Sequence, residues 1–389
     1  MEIDRDVSSF LNQQAQSASS ADVRAGLLAF NDLYEKKLWH QLTLALAKFQ
    51  DLPGAGQFLI PLCEHFISDW EKHINKLSLI QFAARASKEL KDPKASLEFL
   101  AAYAEKLKDN DQAKDAFVLA TMEAAHYKLI TDNLDGCRAA IDQCEKILEQ
   151  LTATDPTINA SFYRVSAHYY KVTAAYPQYY HSALLYLSSV SLDDLSVQEK
   201  VERAHDLALS AIFGAGLYNF GELLMHPILD SLKGTTFEWL RNLLFCYNTG
   251  DIDGFNRITS SAEFLKQTLL SNSLAFLRQK LCLMTLVEMV FRKSKEERSR
   301  LTFQQISTET RVTMDEVEHL VMRALSLGLL KGKIDEIDRV VEVSWVQPRV
   351  LDMNQIKTIK ARIEEWAAKV SDRVVSLENE DGVVEVFAN

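Results

Sequence analysis

Apolar residues recur every three or four positions from about Val23 to Phe291, and the two-residue alternation of a half-buried strand is rare in this span. Between Pro61 and Leu77 this periodicity produces a continuous apolar stripe formed by Leu62, Phe66, Trp70, Ile74 and Leu77. Residues at this spacing lie on one face of a helix, which is the face that a soluble protein buries. The pattern therefore predicts an array of amphipathic helices over most of the chain.

Short polar or glycine- and proline-containing segments interrupt this periodicity. They lie at residues 90–93, 107–111, 131–136, 152–156, 174–178, 231–236 and 248–254. Connections of this length usually join antiparallel helices. Aromatic residues also recur at spacings of 43, 43 and 34 residues, which are in the range of helix-pair repeats, although this signal is weak. They are Tyr127, Tyr170, Phe213 and Tyr247. These features predict a mainly α fold, an α-solenoid of TPR-like helix pairs.

The pattern changes after the charged segment 293–300. Residues 301–303 favour a short strand and 304–311 a short helix. A second helix is predicted to begin at Thr313, with Glu316 completing a capping box, and to end at Gly328. Its predicted buried face consists of Val317, Leu320, Val321, Ala324 and Leu325.

A hairpin is predicted directly after this helix. Val341, Val343 and Trp345 alternate with polar residues, which places all three on the inward face of the second strand. Pro348 ends the strand because proline cannot donate a ladder hydrogen bond. Strand, helix, helix and a two-stranded wing together predict a winged helix.

The last apolar periodicity follows the wing. Asp352 and Gln355 have the spacing of an N-cap and its N3 partner. Five residues then recur at spacings of 3, 4, 3 and 4, and we call them the C-terminal seam: Ile356, Ile359, Ile363, Trp366 and Val370. This spacing favours a helix that docks on other helices, although packing back on the winged helix is an alternative. The acidic tail, residues 376–389, is expected to be at least partly mobile.

Composition narrows the classes of protein that fit. The 389 residues are 47% hydrophobic and 25% charged, which indicates a folded chain, and the net charge is -11. Such a charge disfavours nucleic acid and acidic membranes as general partners. Five scattered cysteines without a CxxC pair favour reduced thiols. The acidic N-terminus does not predict a signal peptide, and the longest apolar run, Leu281 to Phe291, is too short to span a bilayer.

Candidates for catalysis or metal binding are few. His65, Asp69 and His73 have helical spacing, but they flank an apolar stripe and lack a fourth ligand. Cys137 and Cys144 share a helix face and are interpreted as buried apolar residues. The sequence contains no phosphate-binding loop, nucleophile elbow or zinc-protease motif. We predict no catalytic residues, no cofactor and no metal, and hence no enzyme.

The second winged-helix helix also bears on nucleic-acid binding. Between Thr313 and Leu329 one positive charge stands against three negative ones, a balance of 1 minus 3, or -2. Phosphates would repel such a helix, so DNA or RNA binding remains only an alternative. The free edge of a wing can instead pair with a neighbouring domain. The predicted contact residues near that edge or on its exposed face are Lys331, Lys333, Glu342 and Ser344.

The segments LLKGKID (329–335), RVVEVSWVQPRVLD (339–352) and IKTIKARIEEW (356–366) resemble the PCI-domain family. Its members are scaffold subunits of the proteasome lid, the COP9 signalosome and translation initiation factor three, and the likeness is greatest to a lid subunit. The resemblance implies a helical-repeat arm (1–175), a PCI domain with a helical part (176–300) and a winged helix (301–348), and a bundle helix with an acidic tail (349–389).

The same resemblance implies a non-catalytic role in ubiquitin-dependent degradation, in the cytoplasm and nucleus. It implies a hetero-oligomer in which the chain contacts a neighbouring PCI subunit, joins the bundle of C-terminal helices of the lid, and lies near a ubiquitin receptor subunit. A scaffold of the signalosome or of the initiation factor is the alternative.

Overall fold

A computed structural model describes residues 7–18, 20–108, 110, 113–151, 154–348 and 353–387. The chain divides between Glu199 and Lys200 into two compact units. Helices dominate both units, and the strands of the described residues all lie in the second unit. The predicted mainly α class is confirmed.

The first unit is a succession of helices joined by short connections. They are α1 (Val7–Ser17), α2 (Ala21–Glu35), α3 (Trp39–Phe49), α4 (Gly56–Pro61), a π-helical segment (Leu62–Ile67), α5 (Ser68–Trp70), α6 (Lys76–Ser87), α7 (Pro93–Leu107), α8 (Lys114–Ile130), α9 (Leu134–Leu148), α10 (Pro156–Val172) and α11 (Tyr176–Ser189), followed by a 3-10 turn (Leu192–Asp194). Each break predicted in this part of the sequence falls at a helix boundary.

The apolar stripe of the first unit is buried but is not one regular helix. Leu62, Phe66 and Trp70 are almost completely buried, although the π-helical segment and α5 divide the helical path. Asn75 then caps α6 by accepting a hydrogen bond from the backbone N–H of Leu77 at 2.9 Å. The periodicity therefore identified the core correctly but did not reveal the interruption.

The second unit contains the remaining helices and one small sheet. They are α12 (Val197–Phe213, whose first three residues belong to the first unit), α13 (Gly221–Met225), a 3-10 segment (Pro227–Leu232), α14 (Glu238–Thr249), α15 (Ile252–Thr259), α16 (Ala262–Leu265), α17 (Thr268–Asn272), α18 (Leu274–Arg292), α19 (Lys295–Arg298), β1 (Leu301–Thr302), α20 (Phe303–Thr310), α21 (Met314–Ser326), β2 (Leu330–Asp335), β3 (Val340–Val346) and α22 (Met353–Phe387).

The segment from β1 to β3 forms the predicted winged helix. Its three strands are antiparallel in the order β1-β3-β2, so β3 lies in the centre and β2 at an edge. The inner faces of the sheet and of α20 and α21 share one hydrophobic core with α18. The core residues of α21 are Val317, Leu320, Val321 and Ala324, whereas Leu325 is only partly buried.

The ends of α21 differ in how closely they match prediction. Gly328 ends the helix with a φ of 69°, and the N–H groups of Gly328 and Leu329 donate to the carbonyls of Leu325 and Ala324 at 3.1 and 3.0 Å. This is the Schellman arrangement expected of a C-terminal glycine. At the other end the predicted capping box is wrong, because the Thr313 hydroxyl makes no bond to a backbone N–H and donates to a carboxylate oxygen of Glu316 instead.

A buried lysine joins two helices of the second unit. Lys280 on α18 is only 2% exposed, and its ammonium donates to the carbonyls of Ala211, Ile212 and Gly214 at 2.8 to 2.9 Å. These carbonyls lie at the C-terminal end of α12, where helix carbonyls lack intrahelical donors. Burial lowers the pKa of Lys280 to about 7, whereas the three acceptors favour its charged form.

Candidate interaction surfaces

The four predicted wing residues are all exposed, but they occupy two different strands. Lys331 and Lys333 lie on β2, whose outer edge pairs with no other strand among the described residues. Glu342 and Ser344 lie on the central strand β3 and so belong to the exposed face of the sheet rather than to its edge. We call Lys331, Lys333, Glu342, Ser344 and Trp345 the wing face.

Trp345 belongs to this face because the ladder contains a β-bulge. Lys331 pairs with Trp345 whereas Gly332 pairs with Val343, so Ser344 is an extra residue in β3. The bulge reverses the alternation of the strand, which leaves Trp345 39% exposed and Val343 buried. The prediction that Trp345 faces inward is therefore wrong.

Two contacts accompany the bulge. The hydroxyl of Ser344 donates to the carbonyl of Lys331 at 3.0 Å. The ammonium of Lys331 lies 5.0 Å from the centre of the Trp345 ring, within the range of a cation–π interaction. Gly332 allows the close approach of the strands, because a Cβ atom there would lie 2.1 Å from the carbonyl oxygen of Glu342. Any larger residue at this position would disturb the pairing.

The hairpin turn uses a non-glycine residue in the left-handed region. Arg339 has a φ of 52°, and the backbone N–H of Asp338 donates to the carboxylate of Asp335 at 3.1 Å. An aspartate that accepts from the backbone within a turn stabilises that turn without glycine. Ile337 at the tip is almost completely exposed.

The C-terminal seam lies on a helix whose surface is open to solvent. Its five residues are between 40% and 67% exposed. Every side chain of α22 that the structure describes is exposed, so packing of the seam against the winged helix is not observed. Burying one such residue stabilises a protein by about 2 kcal/mol, and a continuous stripe of them therefore favours contact with another surface.

The structure extends this seam beyond the sequence prediction. Val374 and Leu377 continue it at spacings of four and three, and both are exposed. The helix reaches Phe387 and so includes residues 376–387 of the acidic tail, whose partial mobility stays a prediction. The predicted cap residue Asp352 and the side chain of Gln355 lie outside the described residues.

The three residues considered and set aside as a metal site do not assemble. His73 lies in the turn before α6, stacked on Trp39 with ring centres 5.2 Å apart, while Asp69 accepts a hydrogen bond from Tyr34. The single regular helix expected to carry His65, Asp69 and His73 is therefore absent. In the described parts of the chain, no three His, Cys, Asp or Glu side chains are placed to hold a metal ion.

Cys137 and Cys144 lie in the core of the first unit, as predicted. Burial raises the pKa of Cys137 to about 11 and that of Cys144 to about 12. Both are therefore thiols rather than reactive thiolates at neutral pH.

Comparison with known proteins identifies the family. The family model for PSD13 N-terminal repeats matches residues 27–244, and the model for the PCI domain matches residues 250–345. The chain is 39% identical to the probable 26S proteasome regulatory subunit rpn9 of Schizosaccharomyces pombe, over 95% of this chain and 96% of that protein. It belongs to the proteasome regulatory subunit 13 family. A second member, 26S proteasome non-ATPase regulatory subunit 13 homolog B of Arabidopsis thaliana, is 38% identical over 90% of this chain and 92% of its own length.

The chain is also similar, more distantly, to a subunit of translation initiation factor three, which was one of the alternatives. Eukaryotic translation initiation factor 3 subunit M of Dictyostelium discoideum is 27% identical over 50% of this chain. The similarity to subunit 13 proteins is higher and covers nearly twice as much of the chain. Among the residues that the structure covers, no helix has the length and apolarity required to cross a bilayer.

Proposed function

We propose that this chain is a non-catalytic scaffold subunit of the lid of the 26S proteasome regulatory particle. The observation that carries the proposal is its membership of the subunit 13 family over nearly its whole length. In this role the chain supports ubiquitin-dependent protein degradation by holding other subunits in place. Its working environment is the cytoplasm and the nucleus, and a ubiquitin receptor subunit lies near the repeat helices.

The wing supplies one contact in this proposal. The free edge of β2 adds to the sheet of a neighbouring PCI subunit by main-chain hydrogen bonds, as exposed strand edges commonly do. Lys331 and Lys333 on this edge, with Glu342 and Ser344 on the adjoining face, then determine which neighbour fits. Lysine-directed cross-linking of the purified assembly, followed by mass spectrometry, is expected to join Lys331 or Lys333 to one particular subunit.

The C-terminal seam supplies the second contact, with the helix bundle of the lid. Its apolar residues repeat at the spacing of helix-to-helix packing, and α22 offers them along one side. Docking in the bundle removes this apolar surface from water. The assembly is therefore held by a sheet edge and by a helix that are separate elements of the second unit.

Purification of the tagged chain from its own cells tests the proposal. We expect the co-purifying proteins, identified by mass spectrometry, to be proteasome regulatory particle subunits. Recovery of initiation factor or signalosome subunits in their place would refute it. Peptidase or isopeptidase activity of the isolated chain would contradict the non-catalytic role.

Charge placed in the seam is expected to prevent assembly. The variant Ile359→Asp with Ile363→Asp should fold normally, because both side chains are exposed, yet should be excluded from the reconstituted lid on a native gel. Ala361→Asp with Ala368→Asp adds the same charge to the opposite side of α22 and is expected to assemble. Normal assembly of the seam variant would contradict the proposed bundle contact.

Nucleic-acid binding is the weaker function for the winged helix. Asp315 and Glu316 are exposed in the first turn of α21, where phosphates of a bound duplex would meet negative charge. We expect no retention of DNA or RNA by the chain in filter binding at low salt.

A further inference from the structure

A polar cleft lies among the helices of the first unit. Its volume is about 480 Å³, which is within the range of ligand-binding pockets. The residues that carry the argument come from three places: Arg85 lies on α6 with Lys88 directly after its end, Glu123 lies on α8, and Ser161 and Arg164 lie on α10. Neither the wing nor the C-terminal seam contributes to it.

The floor of the cleft is a buried carboxylate with two donors. Glu123 is 8% exposed, and one of its oxygens accepts hydrogen bonds from the Ser161 hydroxyl and from an Nη of Arg164, both at 2.6 Å. The charge of Glu123 is therefore balanced within the floor. The Nε of Arg164 is buried and has no acceptor among the described residues, so the guanidinium is held in the floor by its bond to Glu123.

The rim of the cleft carries two further positive charges. Arg85 lies in the last turn of α6 and Lys88 directly follows the helix. Both are exposed, and neither forms an ion pair with a described carboxylate. Asp51 is the other acidic residue of the lining. Because Arg164 balances Glu123, the rim has a local excess of positive charge in a chain whose net charge is -11.

The positive charges of the cleft also affect the pKa of a neighbouring histidine, His126. The pKa of His126 is lowered mainly by burial, and the positive charges of Arg164 and Lys88 lower it further, against the opposing effect of Glu123. His126 is thus neutral at physiological pH.

We propose that this cleft binds an acidic peptide segment of a partner protein. Carboxylates of the peptide pair with Arg85 and Lys88 at the rim of the cleft. A compact polyanion fits less well, because the exposed carboxylate of Asp51 in the lining repels concentrated negative charge. An extended peptide distributes its carboxylates among separate cations and offers backbone N–H groups to Glu123, Gln50 and Gln81, which also line the cleft.

Fluorescence anisotropy with the full-length chain tests this proposal independently of lid assembly. The probe is a fluorescein-labelled peptide of alternating Asp, Glu, Gly and Ser residues, compared with the same peptide carrying Asn and Gln. We expect saturable binding of the acidic peptide, and we expect Arg85→Glu with Lys88→Glu to weaken it about tenfold or more. The Asn and Gln peptide should not bind.

Lys91→Glu with Lys94→Glu is the matched control, because these two exposed lysines follow closely in sequence but do not line the cleft. It alters the net charge by the same amount, and we expect it to retain peptide binding within about twofold to threefold. Arg85→Ala with Lys88→Ala should also weaken binding without adding negative charge. Circular dichroism confirms that each variant is folded.

Several outcomes would overturn the proposal. They are absence of saturable binding to the wild-type chain, equal loss in the rim and control variants, and unchanged binding in the rim variants. Competition by inorganic tripolyphosphate distinguishes a peptide site from a site for compact anions. If it displaces the peptide far better than sodium chloride of equal ionic strength, the cleft is a site for compact anions rather than for peptides.

Discussion

The ammonium of Lys280 satisfies the carbonyls at the C-terminal end of α12. Lys280→Met keeps the length of the side chain but removes the ammonium that donates to three buried carbonyls, of which only that of Gly214 keeps a bond, from the backbone N–H of Leu217. We expect the free energy of unfolding to fall by about 3 kcal/mol in urea denaturation. Arg278→Met removes a charge from an exposed position of the same helix and should change it by no more than about 0.5 kcal/mol. Equal stability of the two variants would show that the carbonyls find other partners.

His126 makes the first unit sensitive to acid. Its pKa in the folded chain lies below the ordinary value of 6.5, so the unfolded chain binds more protons as the pH falls through this range. The stability that neutral His126 contributes is complete above pH 6.5 and is lost as the pH falls towards the lowered pKa. Thermal melting at about pH 7.5 and about pH 5.5 should show a smaller acid destabilisation in His126→Gln than in the wild type. His40→Gln, at an exposed position, should retain the wild-type difference.

At the scale of elements, the β-bulge determines which side chains of β3 face the core. Val343 is buried and Trp345 is not, so Val343→Ala should lower the free energy of unfolding by about 2 kcal/mol. Trp345→Ala removes a much larger side chain but should cost less than about 1 kcal/mol. Urea denaturation followed by circular dichroism measures both. A larger loss for Trp345→Ala would indicate an uninterrupted strand.

The elements differ in how far the sequence predicts them. Helix breaks and the order of the winged helix depend on local signals, such as Gly328, and these were predicted correctly. The bulge depends on pairing between strands, and the available signal was Gly332, because a glycine within a strand often marks a bulge. The burial of Lys280 could not be predicted, since its acceptors lie 66 to 69 residues away. Leu377 was missed because it lies in the acidic segment 376–389, which was expected to be at least partly mobile, and the seam was therefore not followed past Val370 to Val374.

At the scale of the molecule, the surfaces fall into two chemical types. The cleft of the first unit is polar and locally positive, whereas the wing face and the C-terminal seam offer main-chain edges and apolar side chains. The composition of the chain does not predict the cleft. The net charge of -11 is a sum over all residues and does not show that three cations of the cleft lie close together. Binding at the cleft should depend strongly on salt, and contact through the seam much less.

The length of α22 has a consequence for copies of the chain that have no partners. Its 35 residues correspond to about 50 Å of helix, and exposed apolar side chains form a stripe along much of one side. A copy made in excess of its partners carries this stripe into the cell, where self-association competes with correct assembly. The ratio in which the cell makes this chain and its partner subunits, rather than the fold of the chain, then determines what fraction of it remains free of self-association.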